Sequence, residues 1–208
     1  ALVLNTTGEH NVGIGYQALD ANTTGDQNTA VGSNSLSANT TGDNNTAVGR
    51  DCMAAATTGN YNVGIGNNTL DALTTASYNT AVGDHALGAN TTGDRNVAVG
   101  RYSLQNLTTA HYNTALGYQA LQLSTTANKN VGVGYNAGDH ITTGYENVCV
   151  GFGTDTSANS GSNQVVLGSS LTGKGDDTTY TRGGNGAFHT GNTTVWSTTS
   201  DKRIKKNI

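Results

Sequence analysis

One five-residue motif returns with a constant 17-residue period, and it constrains the fold of this chain more than any other feature. It first occurs as NVGIG at residues 11–15 and recurs as NTAVG, NVAVG, NTALG, NVGVG, NVCVG and finally QVVLG. The closing Gly occupies ten positions with no insertion between them: Gly15, Gly32, Gly49, Gly66, Gly83, Gly100, Gly117, Gly134, Gly151 and Gly168. Such a period is typical of solenoids, in which each repeat stacks on the next.

The residues within this strand motif predict one short β-strand per repeat. Its second position is always Val or Thr and its fourth is always Val, Ile or Leu, while the third is Gly or Ala in eight of ten repeats. β-Branched residues favour extended backbone, and alternate residues of a strand share a face. We therefore expect positions two and four to face the core, and the small third residue to lie close against another backbone.

A second apolar column, the Leu column, follows four residues after most of the closing glycines and points into the same core from the other half of the coil. It consists of Leu19, Leu36, Met53, Leu70, Leu87, Leu104 and Leu121. Its five-residue neighbourhood fits either a second strand or a single helical turn, because the periodicity is too short to decide. We favour a short helical or irregular turn.

Polar residues mark the remaining parts of each repeat. A Thr-Thr-Gly or Thr-Thr-Ala corner precedes nine of the ten strands, and Gly supplies the backbone freedom that such a turn needs. Asn stands directly before the strand in nine of ten repeats. Stacked in register, these residues are predicted to form an Asn ladder that satisfies buried amides along the coil axis.

Composition supports a thin repeat structure. Only 34% of the residues are hydrophobic and 6% aromatic, but a disordered chain would not keep apolar residues at two fixed positions per period. We predict an all-β fold, a parallel β-solenoid or β-roll of ten 17-residue coils over residues 1–168. At about 4.8 Å per coil this rod is roughly 48 Å long. Since each coil has few core side chains, we also expect association with copies of the same chain.

The two ends depart from the repeat. The chain begins in mid-repeat and without Met, so we expect it to be a fragment of a longer polypeptide. Residues 169–199 are rich in Gly, with Tyr180, Phe188 and Trp196 as large side chains, and predict an irregular neck where the chains of an oligomer cross or pack.

Charge and residue content argue against several functional classes. Residues 1–200 carry six basic and thirteen acidic side chains, a formal charge of −7, which disfavours nucleic-acid binding. We also expect no membrane insertion, no cofactor and no metal, because the five His residues share no metal-ligand spacing and no phosphate-binding or catalytic motif occurs. Cys52 and Cys149 lie almost six coils apart, too far for an intrachain disulfide.

The C-terminal segment WSTTSDKRIKKNI, residues 196–208, carries the most specific motif. It resembles the opening of the C-terminal intramolecular chaperone, or auto-processing peptidase, domain of phage tail spikes and endosialidases. In that family a Ser-Asp pair is followed by a basic residue, Arg, an aliphatic residue and Lys, and SDKRIKKNI keeps each of these residue types. On this resemblance, residues 200–208 are the start of such a domain.

The resemblance implies a homotrimeric fibre that folds with the help of a C-terminal domain, which afterwards cuts itself off. Ser200 matches the nucleophile of the family and Lys205 its base, with the cut between Ser200 and Asp201. A serine hydroxyl needs such a base, and a lysine serves only when burial or neighbours lower its pKa. Without the rest of that domain the junction is idle, so the sequence leaves enzymatic activity open.

The repeat itself resembles those of phage tail fibres and, more distantly, the head of trimeric autotransporter adhesins. In those heads, NxAxG-like units with a shorter period build left-handed parallel β-rolls. The resemblance implies a left-handed coil for residues 1–168.

Two pairs of variable positions flank the strand, and their variability indicates an exposed surface where a receptor would bind. Aromatic rings pack on sugar faces while neighbouring Asn, Asp and His bind hydroxyls, so the expected partner is a host-surface glycan or another receptor. Plain solvent exposure is the alternative. The candidate receptor-binding residues are Tyr16, Tyr61, Tyr78, Tyr102, Tyr112, Tyr118 and Tyr135.

Taken together, the sequence favours a structural and adhesive function. The leading hypothesis is the distal shaft of a trimeric viral tail fibre or tail spike, extracellular on the virion, joined to upstream fibre or virion proteins and contributing to host attachment. A second class is a bacterial cell-surface adhesin with the same coil. A third is an ice-binding solenoid, suggested by the Thr pairs, although these pairs sit at a turn and not on a flat strand.

Overall fold

The computed structural model describes residues 1–181 and, as strand backbone, residues 187–190 and 197–198. It is an all-β solenoid of about ten 17-residue coils, in which every strand pairs with the next along the chain. Ten strands are the predicted ones, one per repeat: β1 Val12–Ile14, β2 Thr29–Val31, β3 Thr46–Val48, β4 Val63–Ile65, β5 Thr80–Val82, β6 Val97–Val99, β7 Thr114–Leu116, β8 Val131–Val133, β9 Val148–Val150 and β10 Val165–Leu167. They are parallel, and equivalent motif positions pair, as in Val97 with Thr114.

The sheet continues beyond the repeats. Strand β11 (Thr178–Thr181) pairs in parallel with β10, and β12 (Ala187–Thr190) and β13 (Ser197–Thr198) follow in antiparallel order. The segment predicted as a neck therefore adds three strands to the same sheet. Among the described residues, no helix has the length and apolar character needed to cross a membrane.

The prediction of which strand positions face the core was wrong. The small third residue points inward and is fully buried in Ala30, Ala81 and Ala115, whereas positions two and four lie on the outside of the coil. Where the Leu column fills the interior from the opposite wall, there is no room for larger side chains; the larger Val166 is buried in β10, beyond the last Leu of that column. At Gly132 even a Cβ atom would lie 2.8 Å from both Leu121 Cγ and the Ala137 carbonyl oxygen. The third position does lie close against another backbone, as predicted.

The segment around the Leu column is an irregular turn, as favoured above, and contains two residues with left-handed backbone in most repeats. In the first full repeat these are Gln17 with φ 53° and Leu19 with φ 50°. Left-handed backbone is unfavourable for Leu. Full burial of each Leu side chain, which stabilises by about 2 kcal/mol, offsets that cost.

The predicted Asn ladder is confirmed. From Asn28 to Asn147 its members are buried, and each Oδ1 accepts the backbone N–H of the equivalent residue one coil later, which is Gln164 at the end of the ladder. Each Nδ2 donates to the carbonyl of the next corner, as from Asn79 to Gly93 at 2.9 Å. The first Thr of each corner adds a parallel ladder, in which Thr91 Oγ1 donates to the Thr108 carbonyl at 3.1 Å.

Two constraints require Gly at the closing position of the strand motif: its backbone angle φ, and its close contact with the backbone of the next coil. Gly83 has φ 131°, and a Cβ atom there would lie 2.7 Å from the carbonyl carbon and oxygen of Gly100 in the next coil. We expect Gly83→Ala to destabilise the fold by roughly 2–4 kcal/mol, which combines backbone strain with a clash that the stacked backbone cannot relieve. Thermal unfolding measured by circular dichroism would show this as a lower midpoint.

Gly88→Ala is the matched control for that substitution. A Cβ atom at Gly88 would lie 3.3 Å or more from its nearest neighbours, the first of which is the movable carboxylate of Asp71. Equivalent positions of other coils carry Ala54 and Gln105, so a side chain is accommodated here. Equal effects of the two substitutions on the midpoint would contradict the argument from coil stacking.

Candidate functional site

The outer face of the sheet is apolar and uncovered. The outer face is defined as positions two and four of the ten strand motifs. Every side chain at these positions is Val, Thr, Ile or Leu, and none is charged. Ile14 is 59% exposed and Ile65 42% exposed, and the other members are at least partly exposed. Faces of parallel sheets are normally covered. With three residues per strand and ten strands, this one measures about 10 Å by 45 Å.

Apart from Tyr16, the predicted receptor-binding tyrosines fall into two groups on either side of the strands. The first group, the Tyr61 stack, consists of Tyr61, Tyr78, Arg95 and Tyr112, one from each successive coil. The rings of Tyr61 and Tyr78 are parallel with centroids 5.2 Å apart, and the Arg95 guanidinium lies 5.1 Å from Tyr78 and 5.7 Å from Tyr112. Neighbouring members therefore cover each other's faces.

The second group, the Phe152 stack, lies on the other side of the strands. Its rings are Tyr118, Tyr135 and Phe152, with centroid separations of 5.2 Å and 5.0 Å, and Tyr102 meets Tyr118 edge to face. Phe152 is one of the variable positions predicted to be exposed but was not among the candidate tyrosines, although it stands one full period after Tyr135. Tyr16 belongs to neither group and is 73% exposed.

This stacking changes what the tyrosines can do. Stacked rings and cation–π contacts stabilise the packing of one coil on the next. A sugar can pack on a ring only where a face is free, which within each stack means the terminal ring. The stacks otherwise present ring edges and hydroxyl groups along the side of the rod.

One of the variable positions has a structural role that the sequence reasoning missed. We call it the cap column, because its side chains accept a backbone N–H from the preceding coil. Asp43 Oδ1 accepts from the Asp26 N–H at 2.7 Å, and His111 Nδ1 accepts from the Asp94 N–H at 2.9 Å. Its members are Asp26, Asp43, Asn60, Ser77, Asp94, His111, Asn128 and Ser162. Each has an acceptor atom, which would have been the signal to look for.

The fold also brings together three side chains that the sequence spacing did not connect. His140 Nδ1 lies 2.7 Å from Asp155 Oδ2 and 3.2 Å from Asp139 Oδ1. Of the described residues, these form the group that comes nearest to a metal site, with ligand atoms within 4.8 Å of one another. The 2.7 Å contact is a direct hydrogen bond, shorter than the separation of about 3.3 Å expected for two ligands on one zinc ion. We interpret the group as a hydrogen-bonded ion pair.

This ion pair makes stability depend on pH. The hydrogen bond to Asp155 and the nearby Asp139 carboxylate raise the pKa of His140 above its ordinary value of 6.5. Burial raises the pKa of Asp155, which stands in the Leu column position of its coil. Because the folded state holds the His140 proton more tightly, its stabilisation is complete below pH 6.5 and is lost as the pH rises through the raised pKa.

We therefore expect His140→Gln to lower the thermal midpoint at pH 5.5 and to have a smaller effect at pH 9. The difference should stay below about 1 kcal/mol, because the imidazole is largely exposed to solvent. Scanning calorimetry over this range would measure it, with His10→Gln as an exposed control. An identical pH dependence for the protein and its His140→Gln variant would contradict a stabilising pair.

The two cysteines are free and buried, and burial raises the pKa of each thiol to about 12, which makes them unreactive. The predicted cleavage residues Ser200, Asp201 and Lys205 lie outside the described residues.

Comparisons with known proteins do not assign the chain to a family. A scan of the chain against protein-family models gives no match, and searches of curated proteins and of solved structures give none either.

Proposed function

We propose that this chain is the shaft of a homotrimeric viral tail fibre or tail spike that contributes to host-cell attachment. The observation that carries the proposal is the uncovered apolar outer face along a rod of ten identical-length coils. A long, rigid and uniform rod suits a structural shaft, and an apolar face along its whole length needs a partner of equal length.

A second copy of the same chain is the partner that fits this face best. The face repeats with the coil spacing of about 4.8 Å, and only a partner with the same repeat can place its ridges between these side chains along the full rod. Its area of roughly 450 Å² is close to that of the largest apolar patches on monomers, which are often functional contact surfaces. The absence of charge at positions two and four agrees with a core contact.

Three copies are favoured by the resemblance of the C-terminal segment to the chaperone domain of tail spikes and endosialidases. The same resemblance supports an extracellular location on the virion and attachment to upstream fibre or virion proteins. The stacks and the neighbouring polar residues, on the sides of the rod, are the proposed surface for a host glycan or another receptor.

In a longer chain that includes the C-terminal domain, we propose self-cleavage after Ser200. Lys205 would take the hydroxyl proton of Ser200, whose oxygen would then add to the carbonyl carbon of the Ser200–Asp201 peptide bond. The C–N bond would break as Lys205 returns the proton to the Asp201 nitrogen, and water would hydrolyse the resulting ester and restore the serine hydroxyl. The net reaction consumes one water and breaks the peptide bond between Ser200 and Asp201. It leaves a carboxylate on Ser200 and a free amine on Asp201.

Light scattering of residues 1–208 tests the oligomeric state, with an expected mass of three times the 21.2 kDa of one chain. Intact mass spectrometry of a chain that continues past Ile208 tests the cleavage, with an expected product ending at Ser200. A monomer would overturn the trimeric fibre. An uncut longer chain that is trimeric would favour the bacterial adhesin over the viral fibre.

The ice-binding alternative is not favoured by the hydrogen bonding of the corners. The first Thr of each pair donates its hydroxyl to the next coil, as Thr74 does to the Thr91 carbonyl. Of each Thr pair this leaves one exposed member, in a single column that includes Thr75 and Thr92. A single column at a turn does not form the flat, two-dimensional array of hydroxyls and methyls that matches ice.

A further inference from the structure

The Phe152 stack ends in a ring with a free face. One face of Phe152 packs on Tyr135 at 5.0 Å with an angle of 9° between the planes. The equivalent position of the following coil holds Ser169, which is too small to cover the other face, and Phe152 is 57% exposed. Of the three rings in this stack, Phe152 alone has no aromatic neighbour on its C-terminal side.

A gap adjoins this ring. The position after Phe152 holds a side chain in every earlier coil, from Gln17 to Asn136, but it is Gly153 here. Gly153 has φ 54°, and a Cβ atom there would have only Ser170 as a neighbour, at 4.0 Å. The missing side chain therefore leaves open space in a column that is otherwise filled.

The gap also removes a hydrogen-bond acceptor. In the same column, Asn34 Nδ2 donates to Asp51 Oδ1 of the next coil at 2.8 Å. Asn136 stands in the place of Asn34 further along the rod, and the next coil offers it Gly153 in place of Asp51. Position 153 therefore offers the Asn136 amide no side-chain oxygen, and Asn136 Oδ1 is itself buried without a hydrogen-bond partner.

We propose that Phe152, the gap at Gly153 and the amide of Asn136 form a saccharide subsite. The apolar C–H face of a sugar ring packs on the free face of Phe152, and a sugar hydroxyl oxygen in the gap accepts the Asn136 amide proton. The exposed hydroxyls of Ser169 and Ser170 are placed to bind further hydroxyl groups. An aromatic platform with a few polar groups beside it is a common form of ligand site.

This inference rests on the proposed attachment function and places a receptor contact near the end of the regular coils. The Tyr61 stack offers no equivalent site. Its N-terminal ring, Tyr61, also has a free face, but the neighbouring cap column position is filled by Asn60, whose side chain accepts the Asp43 N–H at 2.7 Å. Tyr61 is therefore a matched control: an exposed terminal ring without a gap.

The test uses residues 1–208 and saturation-transfer NMR with methyl α-D-glucopyranoside, methyl β-D-galactopyranoside, methyl α-D-mannopyranoside, N-acetylglucosamine and L-fucose as probes. We expect at least one probe to receive saturation from the protein. Phe152→Ala should weaken its binding about tenfold, the loss expected when a stacking contact worth roughly 1.4 kcal/mol is removed. Tyr61→Ala should leave binding unchanged.

Gly153→Asn provides a second variant that keeps the fold. Asn occupies this column at Asn34, Asn68 and Asn136, and Asn tolerates the left-handed backbone of Gly153. We expect an unchanged thermal midpoint and loss of probe binding, because the side chain fills the gap and takes the Asn136 amide proton. Binding that survives both substitutions, or failure of all five probes, would overturn the subsite. The mass from light scattering is independent, so a trimer without saccharide binding removes this inference alone.

Discussion

Replacing Asn79 by Ala is expected to destabilise the solenoid by about 2–4 kcal/mol, a large part of the stability of a typical domain. Asn79 Oδ1 accepts the Asn96 N–H at 3.0 Å, and Asn79 Nδ2 donates to the Gly93 carbonyl at 2.9 Å. Both partners belong to the next coil and are buried. Removal of the amide leaves the buried Asn96 N–H without a partner, at a cost of about 1–3 kcal/mol. The Gly93 carbonyl keeps the hydrogen bond from Asn90 Nδ2 at 2.9 Å and loses one of two, which costs about 1 kcal/mol.

The position of Asn79 in the middle of the ladder increases the effect. In a repeat protein each coil contacts only its neighbours, so a weak interface in the middle divides the rod into two shorter and less stable parts. Urea unfolding followed by circular dichroism would show a lower midpoint for Asn79→Ala. A separate transition for each half would be further evidence of a divided rod.

Asn67→Ala is the control for this prediction. Asn67 is exposed on the outside of the coil, and its side chain has no hydrogen bond among the described residues. Its substitution is expected to change stability by less than about 0.5 kcal/mol. If the two variants unfolded at the same urea concentration, the ladder would not be the source of coil stability.

The features that sequence reasoning found are those that recur in identical form. The ten strands and the Asn ladder repeat with the same residue types, and a stacked coil gives each type one environment. Gly83 and its equivalents are conspicuous in the sequence because no other residue fits their backbone and spacing. For such positions the period alone is enough to predict the structure.

The direction of the strand faces could not be obtained from the same pattern. Alternation of Val-Ala-Val places the apolar pair on one face and Ala on the other, but it does not say which face is enclosed. The usual rule, that larger apolar side chains lie inside, fails here because so short a coil encloses a space that the Leu column already fills. Only the width of the closed coil, a property of the folded chain, decides the direction.

The site residues illustrate the same limit. Sequence variability predicted an exposed surface at the cap column and at the tyrosine positions alike. In the structure, Asp94 and its equivalents accept a backbone N–H, while Tyr61 and Tyr78 stack on each other. The group around His140 joins residues from two successive coils at non-equivalent positions, so no repeat spacing could have predicted it. Contacts between unlike columns require the coil geometry.

Lysines on the outer face are expected to convert the proposed trimer into single chains. Ile65 and Val99 are the last residues of β4 and β6, at position four of the strand motif. Both side chains are exposed in the isolated chain, so their replacement leaves the core of the coil intact. In the Ile65→Lys, Val99→Lys double variant a closed trimer would bury six unpaired ammonium groups, each at a cost of several kcal/mol. Light scattering should give a mass near 21.2 kDa, with an unchanged circular dichroism spectrum.

The control carries the same two charges in the same two coils but at the corner. Thr58 and Thr92 are exposed second residues of their Thr pairs, and Thr58→Lys, Thr92→Lys is expected to stay trimeric. A milder pair, Ile65→Thr with Val99→Thr, adds no charge and should raise the dissociation constant without abolishing assembly. The opposite result would be a trimer that survives the outer-face lysines but dissociates with the corner lysines. The chains would then have to meet through their corners, and the apolar face would need a different partner.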